Sequence, residues 1–178
     1  MKEIKPKFCK VCKDQFQPYK STDVVCSFMC SKMLEEQKEI EKRYNKAKEG
    51  LEKSDKVKDL MKLSKLLIQK FARVRDKDLP CISCGSNTAT VWDGGHLFKS
   101  ELYSGVRLDE INVNKQCRKC NTFLNGNEVN YVIGFINRYG LPAFNELSQR
   151  ARETKNKKWS VPELQEFINK YKLKIKDL

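Results

Sequence analysis

The chain has 178 residues, 36 Lys and Arg against 23 Asp and Glu, a formal charge of +13 and a mean hydropathy of −0.67. A chain this polar builds a modest core, and bound metal becomes part of what stabilises it. No run nears the roughly 18 apolar residues of a bilayer span, and Met1-Lys-Glu-Ile-Lys-Pro-Lys carries no apolar signal region. The expectation is a cytoplasmic protein whose positive field attracts a polyanion, nucleic acid first among them, with no membrane role.

Residues 1–30 hold a compact cysteine module, Cys9-x2-Cys12 followed by Cys26-x3-Cys30, set among Lys5, Lys7, Lys10, Lys13 and Lys20. Residues 31–59 read as a charged helical linker broken near Gly50, with i,i+4 pairs such as Glu39–Arg43 and Glu49–Lys53. A disordered linker is the alternative. Leu60, Leu63, Leu67, Phe71 and Val74 then recur at helical spacing, which predicts an amphipathic helix ended by Pro80. That helix and the segment after it make a core domain of 60–140, and 141–178 supplies C-terminal basic helices. Gly140 is suited to close one helix and Pro142 to start the next. Ser160-x-x-Glu163 is a capping box, with Trp159 and Leu164 placed to staple it.

Within the core, Cys81-x2-Cys84 pairs with Cys117-x2-Cys120. Two such knuckles close a tetrahedral four-thiolate site, and four thiolates leave no open position, so the zinc is structural. Cys9, Cys12, Cys26 and Cys30 form a second set of four. The two sets use all eight cysteines, which argues against a catalytic cysteine. Two structural Zn2+ ions are therefore expected; disulfides are the alternative, disfavoured in a reducing cytosol. Segment 81–127 carries five basic and four acidic side chains, so the excess charge sits on its flanks, as basic arms gripping a phosphate backbone would require.

Between the knuckles stand Thr90-Val-Trp-Asp-Gly-Gly-His96 and Asn112-Val-Asn-Lys-Gln-Cys117, with Asn121 after Cys120. A strand over Thr88–Trp92, a glycine turn at Gly94-Gly95 and a helix over Val113–Leu124 are predicted. Trp92 is read as core. His96 is the only histidine of the chain.

These residues resemble a zinc-knuckle HNH endonuclease: CxxC, a His, an Asn five residues before a second CxxC, and an Asn immediately after it. The segments Asp78-Leu-Pro-Cys-Ile-Ser-Cys-Gly85, Trp92-Asp-Gly-Gly-His96, Lys115-Gln-Cys117 and Gly126-Asn127 are similar more narrowly to the phage lambda NinG/Rap recombination protein family. The likeness extends from the N-terminal cysteines to the Trp159-Ser-Val-Pro-Glu helix. It implies an α+β fold, a zinc-bound ββα core with flanking helices and a small N-terminal zinc module. It also implies a metal-dependent, structure-specific endonuclease acting on Holliday junctions and D-loops.

In that frame His96 is the general base, Asn112 orients the loop or the His, and Asn121 contributes to a catalytic Mg2+ or Mn2+. Asp93 is the candidate carboxylate for that ion, although the family often places an acid directly before the His, where this chain has Gly95. Lys115, Arg118 and Lys119 are candidate DNA contacts. Two departures stand out: Asn114 where relatives carry His, and Phe123-Leu124 in place of polar or basic residues. The competing reading is a non-catalytic zinc-containing nucleic-acid-binding protein with a degenerate HNH core. Recombination proteins are further candidate partners. Symmetric junctions take two cuts, which makes a homodimer an expectation.

Overall fold

The computed structural model describes residues 4–51 and 57–178, and side-chain exposure is not described for 48–51. The chain divides into two compact units, Met1–Asn45 and Lys46–Leu178.

In the first unit, β1 (Lys7–Phe8) and β2 (Gln15–Phe16) form a short antiparallel ribbon. Helix α1 (Phe28–Leu51) starts just after Cys26 and includes Cys30. It runs unbroken through Gly50, where a break was expected, because a lone glycine costs a helix only about 1 kcal/mol. The Glu39–Arg43 pair forms at 3.3 Å. The predicted Glu49–Lys53 pair lies outside the described residues.

The first element lying wholly in the second unit is α2 (Val57–Arg75). Leu60, Leu63, Leu67 and Phe71 are buried as the periodicity requires, while Val74 is half-buried. Helix α2 stops at Arg75, ahead of Pro80, where Asp76 turns the chain and buries its carboxylate. Helix α4 (Val161–Lys176) lies against α2 and buries Leu164, Ile168 and Tyr171, with Phe71 and Tyr171 packed edge to face. The Ser160–Glu163 capping box is formed. Helix α3 (Glu128–Glu153) is two helical halves joined at Gly140, whose φ of 86° ends the first half two residues before Pro142. The second core gathers Ile82, Val106, Tyr131, Phe135, Leu147 and Ala151.

Between the helices lies one hairpin, β3 (Trp92–His96) against β4 (Val113–Cys117), antiparallel and in register from Trp92↔Cys117 to His96↔Val113. Both flanking predictions are corrected here. The strand is Trp92–His96, not Thr88–Trp92, and the two glycines lie inside it. A Cβ on Gly94 would stand 2.7 Å from the Gln69 Cα of α2, and one on Gly95 would stand 2.0 Å from Gln116 Oε1. Close packing, not a turn, is what these glycines serve. The predicted helix over Val113–Leu124 is instead β4 followed by a short π-helical turn, Lys119–Phe123. Lys115 explains the strand: its N–H donates to Asp76 at 3.0 Å and its carbonyl accepts from Ile82 N at 3.1 Å. The outer edge of β4 is thereby satisfied as a strand.

Candidate active site and cysteine centres

The sulfurs of Cys81, Cys84, Cys117 and Cys120 all lie within 4.8 Å of one another, as do those of Cys9, Cys12, Cys26 and Cys30, and all eight cysteines are free. A tetrahedral zinc with Zn–S bonds of about 2.3 Å sets its sulfurs about 3.8 Å apart. The Cys84–Cys117 separation is 3.8 Å, and in the N-terminal set Cys12–Cys26 is 3.5 Å and Cys26–Cys30 3.6 Å. Both sets could hold zinc, and both match a four-thiolate centre better than a pair of disulfides. The second cluster is the better protected. Cys81, Cys117 and Cys120 are buried with Ala89 and Trp92 packed on them, whereas Cys12 and Cys26 are exposed.

The second cluster anchors the hairpin. In an antiparallel pair, opposed residues share a face and neighbours along a strand alternate. One face therefore carries Asp93, Gly95, Asn114 and Gln116, and the other carries Trp92, Gly94, His96, Val113, Lys115 and Cys117. The first face lies under α3. Asn114 Nδ2 donates to the Ile111 carbonyl and to Tyr131 Oη, and its Oδ1 accepts from Tyr139 Oη and Arg75. The second face lies under α2, because Gly94 meets Gln69.

This alternation corrects the placement of Asp93. It lies three positions before His96 in one strand, an odd offset, so the two side chains leave opposite faces. Asp93 is also fully engaged: its carboxylate takes Arg118 Nε at 2.8 Å and Nη2 at 2.9 Å, and Asn121 Nδ2 at 3.0 Å. A divalent ion held by Asp93 and Asn121 beside His96 does not fit this arrangement. Among the described residues, no group of three His, Cys, Asp or Glu gathers for a metal outside the two cysteine sets. Arg118, expected on phosphate, is the partner of Asp93 and ties the π-turn to β3. Lys115, also expected on phosphate, is buried, with its Nζ bonded to the Lys77 carbonyl at 2.8 Å and 4.3 Å above the Trp92 ring. Burial pushes its ammonium pKa down. Lys119 is exposed, as a DNA contact would be. Trp92 packs on the cysteine cluster, in keeping with a core role.

His96 ends β3. Its Nε2 lies 3.0 Å from the Arg107 carbonyl. A carbonyl only accepts, so Nε2 carries the proton and Nδ1 keeps its lone pair. Nδ1 has no partner among the described residues. Burial, and then the positive charges of Lys65 and Arg107, hold the imidazole pKa below its ordinary value of 6.5, against the pull of the Arg107 carbonyl and Glu101. With its pKa lowered the ring is neutral at neutral pH, with Nδ1 as its basic nitrogen. Asn112 holds the segment after His96: its Oδ1 accepts from Phe98 N at 2.8 Å, and its Nδ2 donates to the Phe98 and Val106 carbonyls at 3.1 and 2.8 Å. The loop is also clipped to the far end of α3 by Ser104 N to Lys155 O and Gly105 N to Thr154 O.

Lys65, Glu101 and Arg107 carry no motif in the sequence, and only tertiary packing assembles them around His96. Asn114 is a buried hub instead of an open ligand position, inside a strand whose five residues are all buried.

The molecule is thus a two-unit α+β protein with paired four-cysteine centres, the second of which clamps a histidine-bearing hairpin. It belongs to the family described as Bacteriophage Lambda NinG protein, whose profile matches residues 1–178. The chain is 34% identical to Protein ninG of Escherichia phage 933W over 193 residues, covering 96% of this chain and 92% of that one. It is 37% identical to Protein ninG of Salmonella phage P22 over 118 residues, covering 66% of this chain and 57% of that one. For Protein ninG of Escherichia phage lambda the identity is 36% over 118 residues, covering 66% and 56%. No solved structure matches the chain. Among the described residues no helix is long and apolar enough to cross a membrane.

Proposed function

We propose that this protein is an HNH-type DNA endonuclease that cuts branched recombination intermediates, such as Holliday junctions and D-loops, in the host cytoplasm, with zinc in both cysteine centres. The observation that carries the reading is His96: a neutral imidazole at a strand end, oriented through Nε2 and offering Nδ1. Such a nitrogen takes a proton from water as the oxygen attacks phosphorus and the bridging P–O bond breaks. Asn112 supports this role by fixing the loop that supplies the Arg107 carbonyl. The net charge of +13 supports a polyanionic substrate, and exposed Lys119 is a candidate backbone contact. Branch preference rests on the family resemblance.

A second reading, a non-catalytic zinc-containing nucleic-acid-binding protein with a degenerate HNH core, is favoured by one specific observation: the Asp93 carboxylate is spent on Arg118 and on Asn121. One assay separates the two. Four-way junctions, D-loops, linear duplex and single strands are incubated with the protein in Mg2+, Mn2+ or EDTA, beside His96→Ala. The expected result is metal-dependent nicking that falls at least about a hundredfold in the variant. Nicking that survives His96→Ala unchanged removes His96 from the mechanism, and binding without nicking in any metal selects the second reading.

A further inference from the structure

The face of β3 that carries His96 also carries the means to hold an anion. Gly94 sits against Gln69, and Lys65 lies one helical turn from Gln69 on α2. Stepping two residues along β3 from Gly94 reaches His96, and the charge of Lys65 acts on that ring, so Lys65 is the residue of α2 beside it. Lys65 Nζ is held by Glu101 Oε1 at 2.9 Å, and Ser100 Oγ donates to the same oxygen at 2.6 Å. Arg107 acts on the same ring, through its carbonyl at His96 Nε2 and through its charge. Its Nε is buried and has no hydrogen-bond partner among the described residues. A buried guanidinium N–H left without an acceptor is costly, and an anion would supply one.

The geometry points to a phosphate-binding subsite made by Lys65 and Arg107, which presents a DNA phosphodiester to His96 Nδ1, with Glu101 holding Lys65 in place until the phosphate arrives. Glu101 is suited to this holding role. Its side chain is 72% exposed against 31% for Lys65, and an ion pair so open to water is weak enough for a phosphate to displace. The Ser100 hydroxyl, together with Lys65, keeps its carboxyl near a pKa of about 2, so it stays charged throughout the working range. Glu101 also repels anions that do not take over its lysine. The charged groups around the His96 ring are therefore Lys65, Arg107 and Glu101, drawn from α2 and from the loop between β3 and β4. This inference deepens the nuclease reading and names the part of the substrate that the site grips.

Its test uses the full chain and does not depend on cleavage. His96 is the only histidine, so its ring C–H resonances in an NMR spectrum are unambiguous. Inorganic phosphate and a thymidine dinucleotide with a single phosphodiester are titrated into wild-type protein, Lys65→Gln, Lys65→Arg and Arg107→Lys, with Lys158→Gln as a charge-matched control at an exposed position. The wild-type His96 resonances should move in a saturable way with both probes. Lys65→Gln should weaken that response about tenfold, as expected when a charged hydrogen bond is lost, and Lys65→Arg should restore it. Arg107→Lys, which keeps the charge and removes Nε, should weaken it similarly, and Lys158→Gln should leave it unchanged. A wild-type signal that ignores both probes, or an equal response in Lys65→Gln, overturns the subsite. A Lys65-dependent response in a protein that nicks no DNA keeps the subsite and removes the nuclease reading instead.

Discussion

The two faces of the β3–β4 hairpin are built from similar residues and do opposite things. Under α3, Asn114 and Gln116 are fully buried, and Asn114 is bonded on both its amide oxygen and its nitrogen. Under α2, His96 keeps one ring nitrogen uncommitted and is surrounded by three charges, of which Lys65 and Glu101 are open to water. A polar face tied down through a hub such as Asn114 fixes geometry, while a face with an unspent ring nitrogen beside charged groups can bind and react. Polar residues at motif positions thus divide into structural and chemical groups by which side of a five-residue strand they leave.

The largest expected effect tests the fixed side. Asp76 is buried and takes Arg75 at 2.7 Å, Arg138 at 3.4 Å and the β4 edge N–H of Lys115. Asp76→Ala leaves two partly buried guanidinium groups short of a counter-charge. Urea denaturation should show a loss of about 3 kcal/mol, the low end for breaking a buried pair, because Arg75 retains the Glu110 and Val113 carbonyls. A loss below about 1 kcal/mol would mean that this network does not anchor the hairpin.

The two glycines sharpen the comparison, since they point to opposite faces. An added methyl at Gly94 meets the backbone of α2, which cannot step aside, so Gly94→Ala should cost about 1–3 kcal/mol. At Gly95 the obstacle is the end of the Gln116 side chain, whose Oε1 has no hydrogen-bond partner among the described residues. Gly95→Ala should therefore cost less than Gly94→Ala in the same thermal melts. The reverse order would place the rigid contact on the α3 face.

Much of this was legible beforehand. Cysteine spacing identified both thiolate sets, heptad-like leucines placed α2, and Ser160-x-x-Glu163 placed the start of α4. The hairpin is hidden in the sequence because Gly94-Gly95 looks like a turn when only local conformational freedom is weighed. Its glycines answer instead to Gln69 and Gln116, which are distant in sequence. Once β3 is drawn over Trp92–His96, the odd spacing of Asp93 and His96 already separates them. Lys65 had no such signal, because a lysine beside a leucine stripe reads as a solvated face until α2 is docked on the strand.

A pH series probes the reactive face. The His96 pKa in the folded protein is lowered from 6.5, chiefly by burial, so the unfolded chain binds a proton first as pH falls. Stability from this residue is full above pH 6.5 and declines as pH drops from 6.5 towards the folded value. His96→Gln should remove that acid-side decline in denaturation midpoints between pH 7 and 5, a range set by the imidazole titration. Nicking by the wild type should keep its activity to a pH below 6.5, the value for a free imidazole. An acid limb centred above 6.5 would contradict a depressed His96.

The smallest effect is the most discriminating. Asp93 has the sequence credentials of a metal ligand and the surroundings of a clamp. Its partner Arg118 is 41% exposed, so neutralising the carboxylate by Asp93→Asn should cost no more than about 1 kcal/mol. Asparagine keeps an oxygen for Arg118 and for Asn121, and the π-turn stays attached to β3. Nicking of a four-way junction should then remain within about threefold of wild type at saturating Mg2+, because the lost charge lies on the face away from His96. A drop of a hundredfold or more, rescued by Mn2+, would put Asp93 on a metal after all. The two faces would then meet at one site, and the ion pair with Arg118 would be only its resting state.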